Sequence, residues 1–278
     1  MTRLTTGTGL ASASYTPVAN DFLVAVAYVH TSGATLFTDT ATCAGNGQTW
    51  TKRRGSLSAD GKQYLCIFTA GPVASPSTGA TTITVNTSVT EAFVAVYKFA
   101  ALNTTLDTTA PYVTSGGGVN AAAASFSAAG ITALSDPSNG RLLIVGHKTA
   151  EVTSPGTGWT ELGDSQASPA TGTAIELEGQ YLLGAGDSTV SASWATSSVS
   201  IYGWVEIKNG KAVPSNGAVN SYDDNVDTSV TAGNATSGWN AADGYAMTQW
   251  NVIAQDTTGS QGTDPGYDEK PPVTWGTV

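Results

Sequence analysis

Glu176 and Glu178, in AIELEG, have the residue type and spacing of a two-carboxylate site. Residues i and i+2 of a β-strand share a face about 7 Å apart. Carboxyl groups at such separations can cleave a glycosidic bond, one as acid and the other as base or nucleophile. A solvated strand face explains the same pair without chemistry, and it is the simpler expectation. His30 and His147 lie at the ends of the apolar runs NDFLVAVAYVH and NGRLLIVGHK. Neither has a metal-binding spacing such as HExxH, so both are expected on the surface at strand ends. Asp223, Asn225 and Asp227, in SYDDNVDTSV, match the first three ligand positions of a calcium loop. The pattern then fails: Thr228 stands where glycine must turn the chain, and Asn234 where a bidentate glutamate belongs. Calcium in another geometry is the only cofactor left to consider. Gly116, Gly117 and Gly118, in SGGGVNAAAAS, lack the Lys-Ser/Thr ending of a phosphate loop and read as a linker.

The elements that must position these residues are strands. Only 12% of the 278 residues are charged, and 32 Gly and 11 Pro accompany abundant Thr, Ser and Ala. Small, β-branched and turn-forming residues at this density suit many short strands joined by tight turns. No apolar run approaches the roughly 20 residues of a membrane span, so no membrane association is expected. Of the net charge of −10, most falls late: after Lys211 there are 8 acidic residues and a single basic one, Lys270. Nucleic acid is a poor partner for such a surface. Cys43 and Cys66 allow one bridge or none. Cys66, in YLCIFTA, reads as a buried thiol, while Cys43, in ATCAGNG, could reach it across a sheet.

An order of elements recurs. NDFLVAVAYVH, GNGQTWTK, YLCIFTAG, TTITVNTS and EAFVAVYKFAAL are followed by NGRLLIVGHK, SPGTGWTEL, GQYLLGAGD, STVSASWA and SVSIYGWVEIKNG. Trp50 precedes Phe99 by 49 residues and Trp159 precedes Ile207 by 48. The fold class expected is all-β: two tandem, jelly-roll-like β-sandwich domains with an irregular C-terminal arm. Domain 1 covers 1–109, a Gly-rich linker 110–118, domain 2 (a divergent copy) 119–211, and the arm 212–278. Trp50 and Trp159, at matching places, are expected to plug the two cores rather than to bind sugar. The last strand of each copy is apolar on both faces, which requires cover on both. Tyr202 and Trp204, on the second face of the later strand, are therefore candidates for contact with another domain or subunit. The acidic arm holds Trp239, Trp250 and Trp275, the residue type that anchors interfaces.

The run SYTPVANDFLVAVAYVH, then GNGQTWTKRR, then TTITVNTSVTEAFVAVYKFAAL, resembles β-sandwich structural proteins of tailed-bacteriophage virions. The shared pattern is a Pro-x-x-Asn entry to an apolar strand, a Gly-Asn-Gly-x-Thr-Trp turn and a final strand before an Ala/Gly-rich junction. It covers Ser14 to Leu102 well and Asn139 to Gly210 loosely, and the second copy lacks the Asn-Gly pair before its Trp. What the resemblance implies is a non-enzymatic virion component, synthesised in the host cytoplasm and placed on the capsid surface or the tail, with capsid decoration the leading reading. Its partners would be other virion proteins and copies of itself. A tail- or fibre-associated module that binds host glycan is the alternative, and a carbohydrate-active enzyme using Glu176 and Glu178 the third.

Overall fold

The computed structural model describes residues 1–4, 6–99, 111–128, 134–136, 139–167, 174–183, 190–208 and 215–216, and their regular structure is entirely β. The first copy supplies β1 (Thr2–Leu4), β2 (Gly9–Ala11), β3 (Phe22–His30), β4 (Thr42–Gly45), β5 (Thr51–Leu57), β6 (Gln63–Ala70), β7 (Thr81–Thr84) and β8 (Glu91–Phe99). The second supplies β9 (Tyr112–Ala128), β10 (Gly140–His147), β11 (Ser154–Pro155), β12 (Thr160–Ala167), β13 (Ile175–Leu183) and β14 (Val190–Ile207), and β15 (Ser215–Asn216) follows.

Three antiparallel sheets result. The first runs β1–β8–β3–β6–β5, with β15 also on β8, so the stretch expected as an arm begins with a short strand of this sheet. The second sheet runs β11–β14–β10–β13–β12, with β9 on β14, and the small third runs β2–β7–β4. All nine residues of β3 and all eight of β6 are buried. A strand apolar on both faces needs a layer on each side, and here both layers are present. Leu23, Ala25 and Cys66 face Leu10 and Ile83 of the small sheet. Val24, Tyr28 and Leu65 face Leu142, Leu177 and Val205 of the second sheet. The two expected domains thus share an apolar layer, and Met1–Asn220 forms one compact unit.

Both copies follow one strand order. β8–β3–β6–β5 corresponds to β14–β10–β13–β12, with β1 flanking the first set and β9 the second. β2–β7–β4 corresponds to the far half of β9, the near half of β14, and β11. Where the first copy breaks its strands between two sheets, the second runs them on as the 17 residues of β9 and the 18 of β14. A register shift between Ser193 and Ser198 marks the corner. One β-bulge occurs at the same place in each copy, between Lys52 and Arg54 and between Glu161 and Gly163. Trp50 and Trp159 each stand one residue before the corresponding strands β5 and β12.

Gly116–118 is not a linker. It lies in the middle of β9, where a methyl group would crowd the atoms of β14. A Cβ at Gly116 would fall 2.6 Å from Cζ2 of Trp204, and one at Gly118 would fall 3.2 Å from the Tyr202 hydroxyl. Arg53 and Arg54 of β5 join the copies on this side. Arg54 Nη2 donates to the Gly117 carbonyl at 2.5 Å, and the Arg53 guanidinium lies 3.6 Å above the Tyr112 ring, a favourable cation–π placement.

Glycines of the second sheet also receive rings of the first. A Cβ on Gly146 would sit 1.6 Å from Tyr28 Cδ2, and one on Gly179 would sit 2.1 Å from the Tyr97 hydroxyl. The Tyr97 hydroxyl is buried and has no hydrogen-bond partner. Gly179→Ala is therefore expected to destabilise the fold by about 1–3 kcal/mol through overpacking. Tyr97→Phe alone, which removes an unpaired buried hydroxyl, is expected to be near neutral. Combined with Gly179→Ala it should recover part of the loss, because it deletes the nearest clashing atom. A urea-denaturation double-mutant cycle measures this, and strictly additive effects would contradict the proposed contact.

Candidate functional site

Pairing across the second sheet gathers its polar residues on one face. Gln166 lies opposite Glu176, Glu176 opposite His147, His147 opposite Ser200 and Ser200 opposite Asn120, a row across five strands. Glu178 lies between Asp164 and Val145 in the next row, and Gln180 between Glu161 and Leu143 in the one after. Directly opposed residues share a face, and this face looks away from the first sheet.

The face is not solvated. Glu176, Glu178, Gln180, His147 and Ser200 are each 0% exposed. This corrects the expectation of a wet strand face for the glutamates and of a surface position for the histidines, since His30 is also buried. The physical reason is the continuous β9 and β14. Past the corner at Ser193–Ser198 they cover the second sheet with Phe126, Val190, Ala192 and Trp194, and Trp159 joins that layer. The Trp194 ring stacks on the His147 imidazole at 4.3 Å.

Inside, the hydrogen bonds are partial. Thr153 Oγ1 donates to Glu176 Oε1 at 2.7 Å, and His147 Nε2 lies 3.1 Å from the same oxygen. His147 Nδ1 is 2.7 Å from the Thr149 hydroxyl. Gln180 Nε2 donates to Glu178 Oε1 at 3.1 Å. The second oxygen of each glutamate, the Ser200 hydroxyl, Asn120 Nδ2 and Trp194 Nε1 have no partner. Burial pushes Glu176 up to about 10 and Glu178 up to about 8, and pushes His147 down to about 4. Burial thus favours the uncharged forms on this face, two carboxylic acids and a neutral imidazole. A protonated carboxyl is the form a general acid needs, but an acid must touch its substrate, and these side chains are enclosed.

The corresponding positions of the first copy show what was exchanged. The registers place Glu176 at Tyr64, Glu178 at Cys66, Gln180 at Phe68, His147 at Val29 and Ser200 at Ala92. The bulges in β5 and β12 give the same match independently. One copy fills this layer with apolar groups and the other with acids, an amide and an imidazole. Aligning QYLCIFTA with IELEGQYL would have shown it. Matching YLCIFTAG to GQYLLGAGD starts three residues too late and obscures the exchange. His30 and His147 fall one residue apart in the register and so face opposite ways.

Other candidates have structural partners. Trp159 is buried, and half-buried Trp50 donates its Nε1–H to the Gly45 carbonyl at 3.1 Å. Trp204 lies beneath the Arg141 guanidinium at 4.4 Å, and Tyr202 stacks on Phe126 at 4.8 Å. Cys43 and Cys66 are free thiols. Asp223, Asn225, Asp227, Trp239, Trp250 and Trp275 lie outside the described residues. Among the described residues no group of His, Cys, Asp and Glu is arranged to hold a metal ion, and no helix is long and apolar enough to cross a membrane. No protein-family model, curated protein or solved structure matches the chain.

At the far end of this face, Arg141 and Glu206 are both buried and 4.0 Å apart. Glu206 Oε2 also accepts from the Ser135 amide at 2.7 Å and from Asn139 Nδ2 at 3.1 Å. Removing one partner of a buried pair leaves the other charge uncompensated. Glu206→Ala is expected to cost about 3 kcal/mol, and Glu206→Gln less, since the amide oxygen still accepts the two hydrogen bonds. Urea melts at neutral pH measure both, and equal losses would assign the effect to the missing charge alone, with no share for the hydrogen bonds or packing.

Proposed function

We propose that this chain is a non-enzymatic structural protein of a tailed-bacteriophage virion, a decoration or accessory protein held on the capsid surface by protein–protein contacts. The observation that carries the reading is what the turn motif behind the resemblance does here. Asn46 and Gly47 of Gly-Asn-Gly-x-Thr-Trp adopt left-handed backbone, φ 54° and 66°. Asn46 Nδ2 then donates to the carbonyls of Ser77 at 2.7 Å, Gly79 at 3.1 Å and Tyr15 at 3.3 Å, and Asn46 Oδ1 accepts from Thr81 Oγ1 at 2.9 Å. Asn is among the few residues other than Gly that tolerate this conformation. The motif ties three segments of one sandwich together, which suits a family defined by packing rather than by an active site. Enclosure of Glu176 and Glu178 speaks against the glycosidase reading.

The arm supplies the attachment in this reading. Three Trp among acidic and small residues serve a solvating tail poorly, and separate anchors raise avidity on a repeating lattice. The fragment 1–220 keeps β15 and the whole compact unit. It is expected to melt with the same Tm as the full chain and to lose attachment to virions stripped of the protein. Cosedimentation measures attachment. A full chain that fails to cosediment, or that instead binds a glycan array, would sink the capsid reading. A fragment that still binds would place the contact on the sandwich and not on the arm.

A further inference from the structure

We propose that the second copy is a pH-operated latch, in which the layer over Glu176 and Glu178 stays closed while the two carboxyl groups hold their protons and opens when they lose them. The first copy, apolar at the same positions, stays closed throughout. Three observations from geometry carry this. Both carboxyl groups are fully buried, each with one oxygen unpartnered. Among the described residues neither Lys nor Arg reaches either of them in a hydrogen bond or ion pair, and the one basic contact is His147. A buried carboxylate without a cation is unfavourable by several kcal/mol, so such a group holds its proton instead.

The surroundings reinforce the effect. From β12, Glu161 and Asp164 bear on both carboxyl groups with negative charge. The loop after β10 adds Glu151, near His147, and β14 adds the Tyr202 hydroxyl on the Glu178 row. From behind the sheet, β3 and β8 present the hydroxyls of Tyr28 and Tyr97. No member of this set supplies a fixed positive charge, so ionising either glutamate adds repulsion to desolvation.

The sign follows from proton counts. In the unfolded chain both glutamates titrate near 4.5, whereas in the folded chain they do so near 10 and 8. Between those limits the folded state binds more protons, so its stability falls as pH rises. His30 and His147, lowered from 6.5 to about 4, act in the opposite sense only between those two values. Above about pH 6.5 the glutamates act alone among these four groups. Opening is local because the layer over this face (Trp159, Trp194, Phe126) is separate from the layer shared by the two large sheets.

Amide hydrogen exchange on the full chain tests this, with protection expressed relative to intrinsic exchange at each pH. Between about pH 6.5 and about pH 9.5, peptides covering Ser154–Trp159 and Val190–Trp194 are expected to lose about tenfold or more in protection, with β3 and β6 unchanged. Glu176→Gln/Glu178→Gln, which keeps shape and neutrality, should hold its protection at both pH values. Constant protection in the wild type, loss shared equally with β3 and β6, or loss that persists in the double variant would each overturn the proposal. Should the double variant fail to fold, the infrared band of a protonated carboxyl decides. It is expected in the wild type near pH 6.5, weakened in Glu178→Gln and diminished towards pH 9.5, and its absence near pH 6.5 overturns the latch.

Discussion

The fold depends on one contact layer, where the first sheet lays Tyr28 and Tyr97 into hollows left by Gly146 and Gly179. Close-packed interiors tolerate neither a void nor an extra methyl group there. The registers place Tyr28 and Gly146 at corresponding positions of the two copies, and here those positions face each other. Two identical copies would set ring against ring at that point. Divergence into a knob and a hollow lets two copies of one sheet pack face to face. Gly203, beneath Ile67 and Leu65, repeats the solution one strand over.

That layer also fixes what remains for the outer faces. With its inner face committed to the second sheet, the first copy closes its other face with a separate three-stranded sheet. The second copy closes its other face with its own strands, bent over at the β14 corner. The same topology thus gives a separate lid in one half and a continuous one in the other. A continuous lid allows a polar filling, because β14 reaches from the shared layer to the cover without a break. Even so, a partly satisfied polar layer is less stable than an apolar one of similar shape. The first copy shows that an apolar filling was available to this topology.

The sequence made legible whatever depends on periodicity. Apolar residues on both faces of the last strand of each copy required two covering layers, and Phe93, Tyr97, Ile201 and Val205 do meet the opposite sheet. Trp50 and Trp159 stand before corresponding strands because the spacing to the last strand reflects the common topology. Contact between distant segments was not legible. Gly116–118 resembles a linker until the Trp204 ring is known to lie across it. Glu176 and Glu178 look solvated because alternation reports which side a residue faces, not what covers that side. The cover comes from β9 and β14 joining strands that are separate in the first copy, and no local pattern marks that continuity.

A charged pair at the mouth of each copy shows the same logic on a smaller scale. Asp21 and Lys98 lie 3.7 Å apart in the first copy, and the registers place Asn139 and Glu206 at those positions in the second. The acid has moved from the loop to the last strand, and Arg141 now stands where the first copy has Leu23. Charge balance was rebuilt there with a buried cation, as a buried carboxylate demands. No cation was added beside Glu176 and Glu178, on the same face of the same sheet. Since Arg141 shows that this face accommodates a guanidinium, packing alone does not account for an uncompensated pair two and three rows away. The two acids instead fit a layer whose closure depends on protonation, a property that a neighbouring arginine would abolish.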